Sequence, residues 1–361
     1  MARQYQVISK RKLLCSSKDY DLLCRGCRLF YRRRGEQREH ALCSLTTGAG
    51  VRLLSAVPMA ARLLRLEPRC GLFLTEDVAL VCWHGGVWRV SVTEGTAREE
   101  HRFRPGMSSP LTLTPVRDNP GFADCVLYGD YINDGAVNAI QIWRRPLDGD
   151  AWEPVFSFAP GSVKHIHSIL SCPQRESLIV FTGDTDEESG IWEIRAGFAE
   201  AGRIAGGSQQ YRACAGFVVP EGIVYATDAP NRPNALFFCG FDGRPARELA
   251  ALPGPAIYGA PAPNGGYVLS TSVEGALDRG LRSWFSYRLG DGVRDRYSHV
   301  LLVDRALRAR ELLAGKKDWL PMRLFGFGSF QFPQGERENV VVSAQALKGL
   351  DGKTLQIQLE E

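Results

Sequence analysis

One phrase comes back along this chain with fading fidelity, and it constrains the fold more than any other feature. "VLYGDYIND" ends at Asp134, "VFTGDTDEE" at Glu188 and "VYATDAPNR" at Arg232. Each is a short apolar run that stops at a small residue followed by an acid: Asp130, Asp184 and Asp228, spaced 54 and 44 residues apart. A fourth, weaker copy, "VLSTSVEGA", sets Ser272 and Glu274 in the corresponding stretch. Strand-type self-similarity at a period of roughly 40–50 residues marks a protein built of repeated β-sheet blades. A repeat that returns an acid to one place in each blade gathers carboxylates on one face.

The rest of the chain fits an all-β reading. Helical periodicity is confined to "RALRARELLAG" (305–315) and the stretch around "SAVPMAARLLRLE" (55–67). Elsewhere short apolar or alternating runs are bounded by Gly, Pro, Asn and Asp, as strands and turns require. Six segments align, roughly 62–103, 111–158, 165–207, 210–252, 257–315 and 320–359. Each has an opening strand, a strongly apolar second strand such as "VALVCW" or "LIVFTGD", and one or two outer strands. The expectation is one β-propeller domain over 1–361 with six blades, five or seven being the alternatives. The basic N-terminal strands within 1–55 would complete the terminal blade and close the ring with the C-terminal strands, leaving 56–361 for the remaining blades. Closure would remove open sheet edges.

Composition narrows the class. No run of 18 apolar residues exists, so no membrane span is expected. The N-terminus lacks the apolar core of a secretory signal, and ten cysteines in that setting predict reduced thiols and a cytoplasmic location. Cys15, Cys24, Cys27 and Cys43 include one CxxC but not the paired spacing of a zinc site, and read as strand residues facing a core. The net charge of +4 is uneven, since residues 1–40 alone carry eleven Lys/Arg against four Asp/Glu. The run Arg32, Arg33, Arg34 reads as a solvated strand edge. Nucleic-acid binding would need basic residues interleaved with stacking aromatics over a larger surface, so no nucleic-acid partner is expected.

Strand order turns the alignment into a candidate site. In an antiparallel blade, the loop before the innermost strand and the loop after the second strand emerge on one face. The first set supplies Arg65, His165, His167, Tyr211, Arg212, Tyr258 and Arg323; the second supplies His84, Asp130, Asp184, Asp186, Asp228 and Glu274. Three of the six histidines fall on this rim. His165 and His167 are spaced for one face of a strand. They could bind a divalent metal with Asp184, serve as acid and base, contact a sugar, or bond into the blade packing. "GDTDEES" (183–189) holds four acids in seven residues, and crowded carboxylates push at least one pKa upward, as a general acid at neutral pH requires. Each aspartate alone also suits a turn cap. The arginines offer forks for a substrate carboxylate. Trp83, Tyr131 and Tyr211 offer faces on which sugars stack.

"AIQIWRRPLDGDAWEPVFSF" (139–158), "VKHIHSIL" (163–170), "VFTGDTDEESGIW" (180–192), "GSQQYRA" (207–213) and "VYATDAPNRPN" (224–234) together resemble sialidase-like propellers of the BNR (Asp-box) type, over most of residues 60–345. In the box Ser-x-Asp-x-Gly-x-Thr-Trp, Gly149 and Trp152 keep their places, while Arg145, Leu147 and Ala151 stand at the Ser, Asp and Thr positions and Asp148 is shifted by one. The resemblance implies a propeller and a glycoside-hydrolase-like role in polysaccharide handling. A true sialidase would add an arginine triad, for which Arg65, Arg212 and Arg323 are the candidates, a Tyr-Glu nucleophile pair and an acid-base Asp.

The functional expectation is a carbohydrate-active propeller hydrolysing an acidic or polymeric saccharide. Asp184, Asp186 or Asp130 would protonate the leaving oxygen, Asp228 or Glu274 would oppose it, and His165 and His167 would position substrate or tune the acid. No cofactor is required, although a divalent metal could sit at His165, His167 and Asp184. The alternatives are a polysaccharide lyase using His167, Tyr211 and an arginine, and a non-catalytic propeller binding a glycan or a protein.

Overall fold

In the computed structural model, which describes residues 5–46, 48–132, 138–263, 265–276, 280, 284–335 and 337–359, the strands form seven sheets. Asp134, at the end of the first phrase, lies outside the described residues. Six of the sheets have four strands and one has six, the two-residue strands Met107–Ser108 and Tyr131–Ile132 extending it beyond its inner strand, and every strand register that is defined is antiparallel. This is a seven-bladed β-propeller.

Six blades were expected, and the count is corrected to seven. Residues 12–44 form a whole blade from Lys12–Ser16, Tyr20–Arg25, Arg28–Arg33 and His40–Ser44. They lack the repeated acid phrase, so their signal is a hairpin alone. Its turn depends on Gly26, which has a positive φ and whose absent side chain would otherwise run into the carbonyl oxygen of Ser55. The N-terminal strand Tyr5–Ser9 pairs with Thr354–Ile357 as the outer strand of the last sheet.

The chain divides into two compact units: 1–99 with 230–234 and 252–361, and 100–229 with 235–251. In the first unit, Leu22, Cys24, Leu29, Val81 and Trp83 pack between the first two blades, and Val300, Phe330, Val342 and Leu355 between the last two. In the second unit, Leu127, Ile142, Ile166 and Val180 form one layer, and Ile179, Phe181, Ile223 and Tyr225 the next. Second strands such as Ser177–Gly183 and Gly222–Thr227 are buried at every position. A neighbour on both faces is why they read as continuous apolar runs rather than alternating ones. Nine of the ten cysteines are buried and Cys43 is half-buried; Cys15, Cys24 and Cys27 line the core.

Three local readings change. Ala309–Lys316, read as helix, is an outer strand paired with Tyr297–Val303. The second stretch holds two short helices, α1 (Ala49–Ala56) and α2 (Pro58–Leu63), with Pro58 at the first position of α2 where its missing N–H costs nothing. Within the basic run, Arg32 is buried and ion-paired to the buried Asp21 at 2.6 Å, with Arg337 on the other carboxylate oxygen.

Candidate functional site

The second unit brings two imidazoles, two aspartates, a lysine and a guanidinium together. His165 and His167 lie on the inner strand His165–Cys172, which pairs with the strand Ser177–Gly183 that ends at Asp184. The next inner strand, Ala213–Val219, follows a single 3-10 turn and Arg212, and pairs with Gly222–Thr227, which ends at Asp228.

The small residue before each acid has a steric cause. A side chain at Gly129 would meet Ile166 at 2.4 Å. One at Gly183 would stand 3.0 Å from Ser189 Oγ and 3.4 Å from both Arg212 and His167. Glycine lets the inner strand and the guanidinium close on the acid. In the third copy Thr227 takes this place and accepts the N–H of Ala235 through its hydroxyl.

Both imidazoles turn Nδ1 to a backbone carbonyl, His165 to Ile132 O at 3.3 Å and His167 to Ala213 O at 3.0 Å. A carbonyl only accepts, so Nδ1 carries the proton on both rings and Nε2 is the basic nitrogen. Both Nε2 atoms face Asp184 Oδ1, at 3.2 and 3.7 Å. The His165 contact lacks hydrogen-bond alignment, and it is an ion pair only when that ring is protonated. Burial pulls the His165 pKa down, and the neighbouring His167 adds to this against the pull of Asp184. Tyr131 stacks on His165 with centroids 4.3 Å apart, held there by a two-residue strand that pairs with the imidazole's own strand.

Asp184 is the most solvated acid of this group, its side chain about a quarter exposed. Lys164 Nζ lies 3.0 Å from Oδ2, and Arg212 Nη2 lies 3.1 Å from Oδ1. Burial would raise its pKa, but contacts with His165, His167 and Arg212 hold it well below the usual carboxylate range. Arg212 Nη2 is also 3.6 Å from Asp228 Oδ2. Asp228 is buried, accepts the Cys214 thiol at 3.3 Å on Oδ2, and keeps Oδ1 without a hydrogen bond. Burial pushes its pKa up, against the lowering effect of Arg212 and His167. Two aspartates thus meet on one guanidinium nitrogen with opposite protonation preferences.

His165, His167 and Asp184 each bring one donor atom within 4.8 Å of the others, the donor set of a His-His-carboxylate metal site. The surroundings oppose a cation. Both oxygens of Asp184 already face cationic side chains, and a metal on Oδ1 would have to displace Arg212.

The remaining second-unit candidates are committed elsewhere. Asp130 is fully buried; its carboxylate accepts Gln141 N at 2.8 Å and Trp143 Nε1 at 3.2 Å and pairs with Arg104 at 2.6 Å. Asp186 accepts the backbone N–H of Gln209, steadying the turn that carries Tyr211. Tyr211 is half-buried and packs toward Tyr225. In the first unit, Glu274 is buried and accepts the Ser272 hydroxyl at 2.6 Å. Tyr258 Oη receives Gln331 Nε2 at 3.3 Å. Exposed Arg65 donates to the Arg323 carbonyl at 3.2 Å. His84 sits exposed at a hairpin turn beside Trp83, and Trp83 is a core residue that donates to Leu66 O at 2.9 Å. Lys164, Cys214 and Gln209 were missed. Lys164 adjoins the HxH pair, a spacing that could have flagged it; Cys214 and Gln209 carry no such signal.

Burial carries the Asp130 pKa up to about 6, against the lowering effects of Gln141 N–H, Arg104 and Trp143. An unfolded aspartate titrates near 3.9. Between about pH 4 and 6 the native state therefore binds more protons than the unfolded one, and this group's contribution to stability falls as pH rises. Urea unfolding of the wild type should lose about 2–3 kcal/mol across that window relative to Asp130→Asn, which has no such slope. Parallel pH profiles for the two proteins would contradict the assignment.

No protein-family model matches this chain, and no curated protein matches it. Solved structures match in fold. The extracellular domain of a one-component system from B. thetaiotaomicron superposes with TM-score 0.56 at 10% identity; the match covers 100% of this chain and 40% of that longer one. The WD40 β-propeller domain of Doa1 gives 0.54 at 9% identity, covering 99% and 97% of the two chains. YCF48, solved bound to D1 peptide, gives 0.53 at 10% identity, covering 98% and 96%. At such identities the likeness is one of fold.

Proposed function

We propose that the second unit carries the active centre of a glycoside-hydrolase-like propeller acting on an acidic saccharide, with Asp184 and Asp228 as its working carboxyls. The observation that carries this reading is the shared guanidinium: Arg212 Nη2 stands 3.1 Å from Asp184 and 3.6 Å from Asp228, beside two imidazoles. Carboxyls held so close suit the retaining course, in which they lie about 5–5.5 Å apart. Their environments also push the two acids' proton affinities apart, the pattern by which acid and base roles are divided.

The roles follow. Asp228 gives its proton to the glycosidic oxygen as the bond from C1 to that oxygen breaks. Asp184, ionised, attacks C1 and forms a glycosyl ester. Asp228, now a carboxylate, takes a proton from water as the water oxygen bonds to C1, and Asp184 leaves ionised. His165 and His167 set the charge around Asp184, since protonating either ring adds a cation beside it. Lys164 and Arg212 supply the positive charge that an acidic sugar needs.

The test incubates the full chain with uronate- and sialate-containing oligosaccharides and reads reducing ends and ultraviolet absorbance, with and without EDTA. Hydrolysis raises reducing ends without a chromophore and is indifferent to EDTA. An absorbing product would instead assign a lyase, with His167 Nε2 as base. Glycan binding without cleavage would make this a binding propeller. Loss of cleavage in EDTA would hand Asp184 to a metal.

A further inference from the structure

Helices α1 and α2 form a short hairpin on the first unit whose inner side is pinned. Ser55 Oγ lies 3.0 Å from Cys27 Sγ, Arg62 Nε donates to Phe325 O at 2.8 Å, and Arg62 Nη1 pairs with Asp318 at 2.6 Å. The outer side is apolar and exposed. Leu53 is 72% exposed, and Val57, Met59, Leu63 and Leu64 are each between 44% and 50% exposed. Trp319, next to the aspartate that holds Arg62, is 75% exposed. So many large apolar side chains on so short a segment mark an interaction surface.

The charge of this segment selects its occupant. From Thr46 to Leu66 the sequence has three arginines and no acid. Arg52 and Arg65 are exposed on the hairpin and at its end. Leucine, methionine and tryptophan facing outward, with exposed arginines, no acid from Thr46 to Leu66 and Asp318 beside Trp319 neutralised by Arg62, suit an anionic lipid surface: the apolar side chains enter the headgroup boundary and the guanidinium groups stay with the phosphates. Protein hot spots use tryptophan and arginine as well, but are poor in leucine, which dominates here. We propose that the α1–α2 hairpin, with Trp319 at its flank, docks the protein in the plane of an anionic membrane. This surface belongs to the first unit and stands or falls independently of the carboxyl site.

The test sediments the full chain with vesicles of phosphatidylcholine alone and of phosphatidylcholine mixed with phosphatidylglycerol. The wild type should pellet with the anionic vesicles, stay in solution with the neutral ones, and be released by salt. Leu53→Ser with Leu63→Ser, and separately Arg52→Glu, should each weaken binding about tenfold or more with unchanged melting temperature, because all three side chains are exposed. Tryptophan emission of the wild type should shift to the blue on binding. The proposal is overturned if the wild type stays in solution with both vesicles, or if the leucine variant binds as the wild type does. A concentration-dependent dimer that the leucine variant abolishes, without lipid binding, would assign the patch to a second copy of the chain and overturn it equally.

Discussion

Replacing Asp184 with glycine should cut hydrolytic turnover by about 10³-fold or more while glycan affinity changes little, because the side chain that bonds to C1 is gone and the cationic groups that grip the substrate remain. The loss alone would not separate a nucleophile from a residue that only orients Arg212. Added azide makes that separation: in the glycine variant it fits the vacated space, attacks C1 and restores turnover as a glycosyl azide, and no orienting role predicts such rescue. Asp228→Asn should behave differently. It removes the proton donor, so substrates with poor leaving groups should lose far more rate than aryl glycosides, whose departing oxygen needs little help. Folding should survive the Asp184 change, since that side chain is about a quarter exposed and water can solvate Lys164 and Arg212 in its absence. Turnover unchanged in both variants would remove the carboxyl pair from the chemistry.

How far the sequence carried this reading depends on which residues face a neighbour. Second strands were legible because burial on both faces leaves an uninterrupted apolar run, as in Ser177–Gly183. The glycine before each acid was legible as a repeat, although its cause, the approach of Ile166, Arg212 and His167, is a matter of packing. Outer strands were less so. Ala309–Lys316 mixes buried, half-exposed and exposed positions, and its neighbouring Arg310 and Glu311 followed by Leu312 and Leu313 mimic a helical face. The first blade was hidden because it carries no acid phrase. At the site, the grouping of His165, His167, Asp184, Arg212 and Asp228 followed from strand order. The burial of Asp130 and Glu274 did not, because an acid that caps its own blade and an acid that faces a ligand share one sequence pattern. Arg145 is the sharpest case. It stood as a departure from the Asp box, and its partner Glu100 lies 45 residues away.

That departure yields the largest effect on stability. Arg145 is 1% exposed, and its guanidinium meets Glu100 twice, Nε to Oε1 at 2.7 Å and Nη2 to Oε2 at 3.3 Å, while Nη1 donates to Pro146 O at 2.9 Å. Trp152, the residue that keeps its Asp-box place, donates its indole N–H to the same carboxylate at 3.1 Å. An arginine clamp thus occupies a position where the box has serine. Arg145→Met should cost about 3–5 kcal/mol of unfolding free energy, because it leaves the Glu100 charge buried opposite a thioether. The adjacent Arg144 provides the control: it pairs with Glu153 across a solvated surface, both side chains at least 30% exposed, and Arg144→Met should cost under about 1 kcal/mol. Combining Glu100→Gln with Arg145→Met should recover part of the loss, since neither charge is then stranded. Urea unfolding of the four proteins measures all three terms. If Arg145→Met costs no more than Arg144→Met, the buried pair does not hold this blade, and Trp152 must be anchored by its ring contacts rather than by its bond to Glu100.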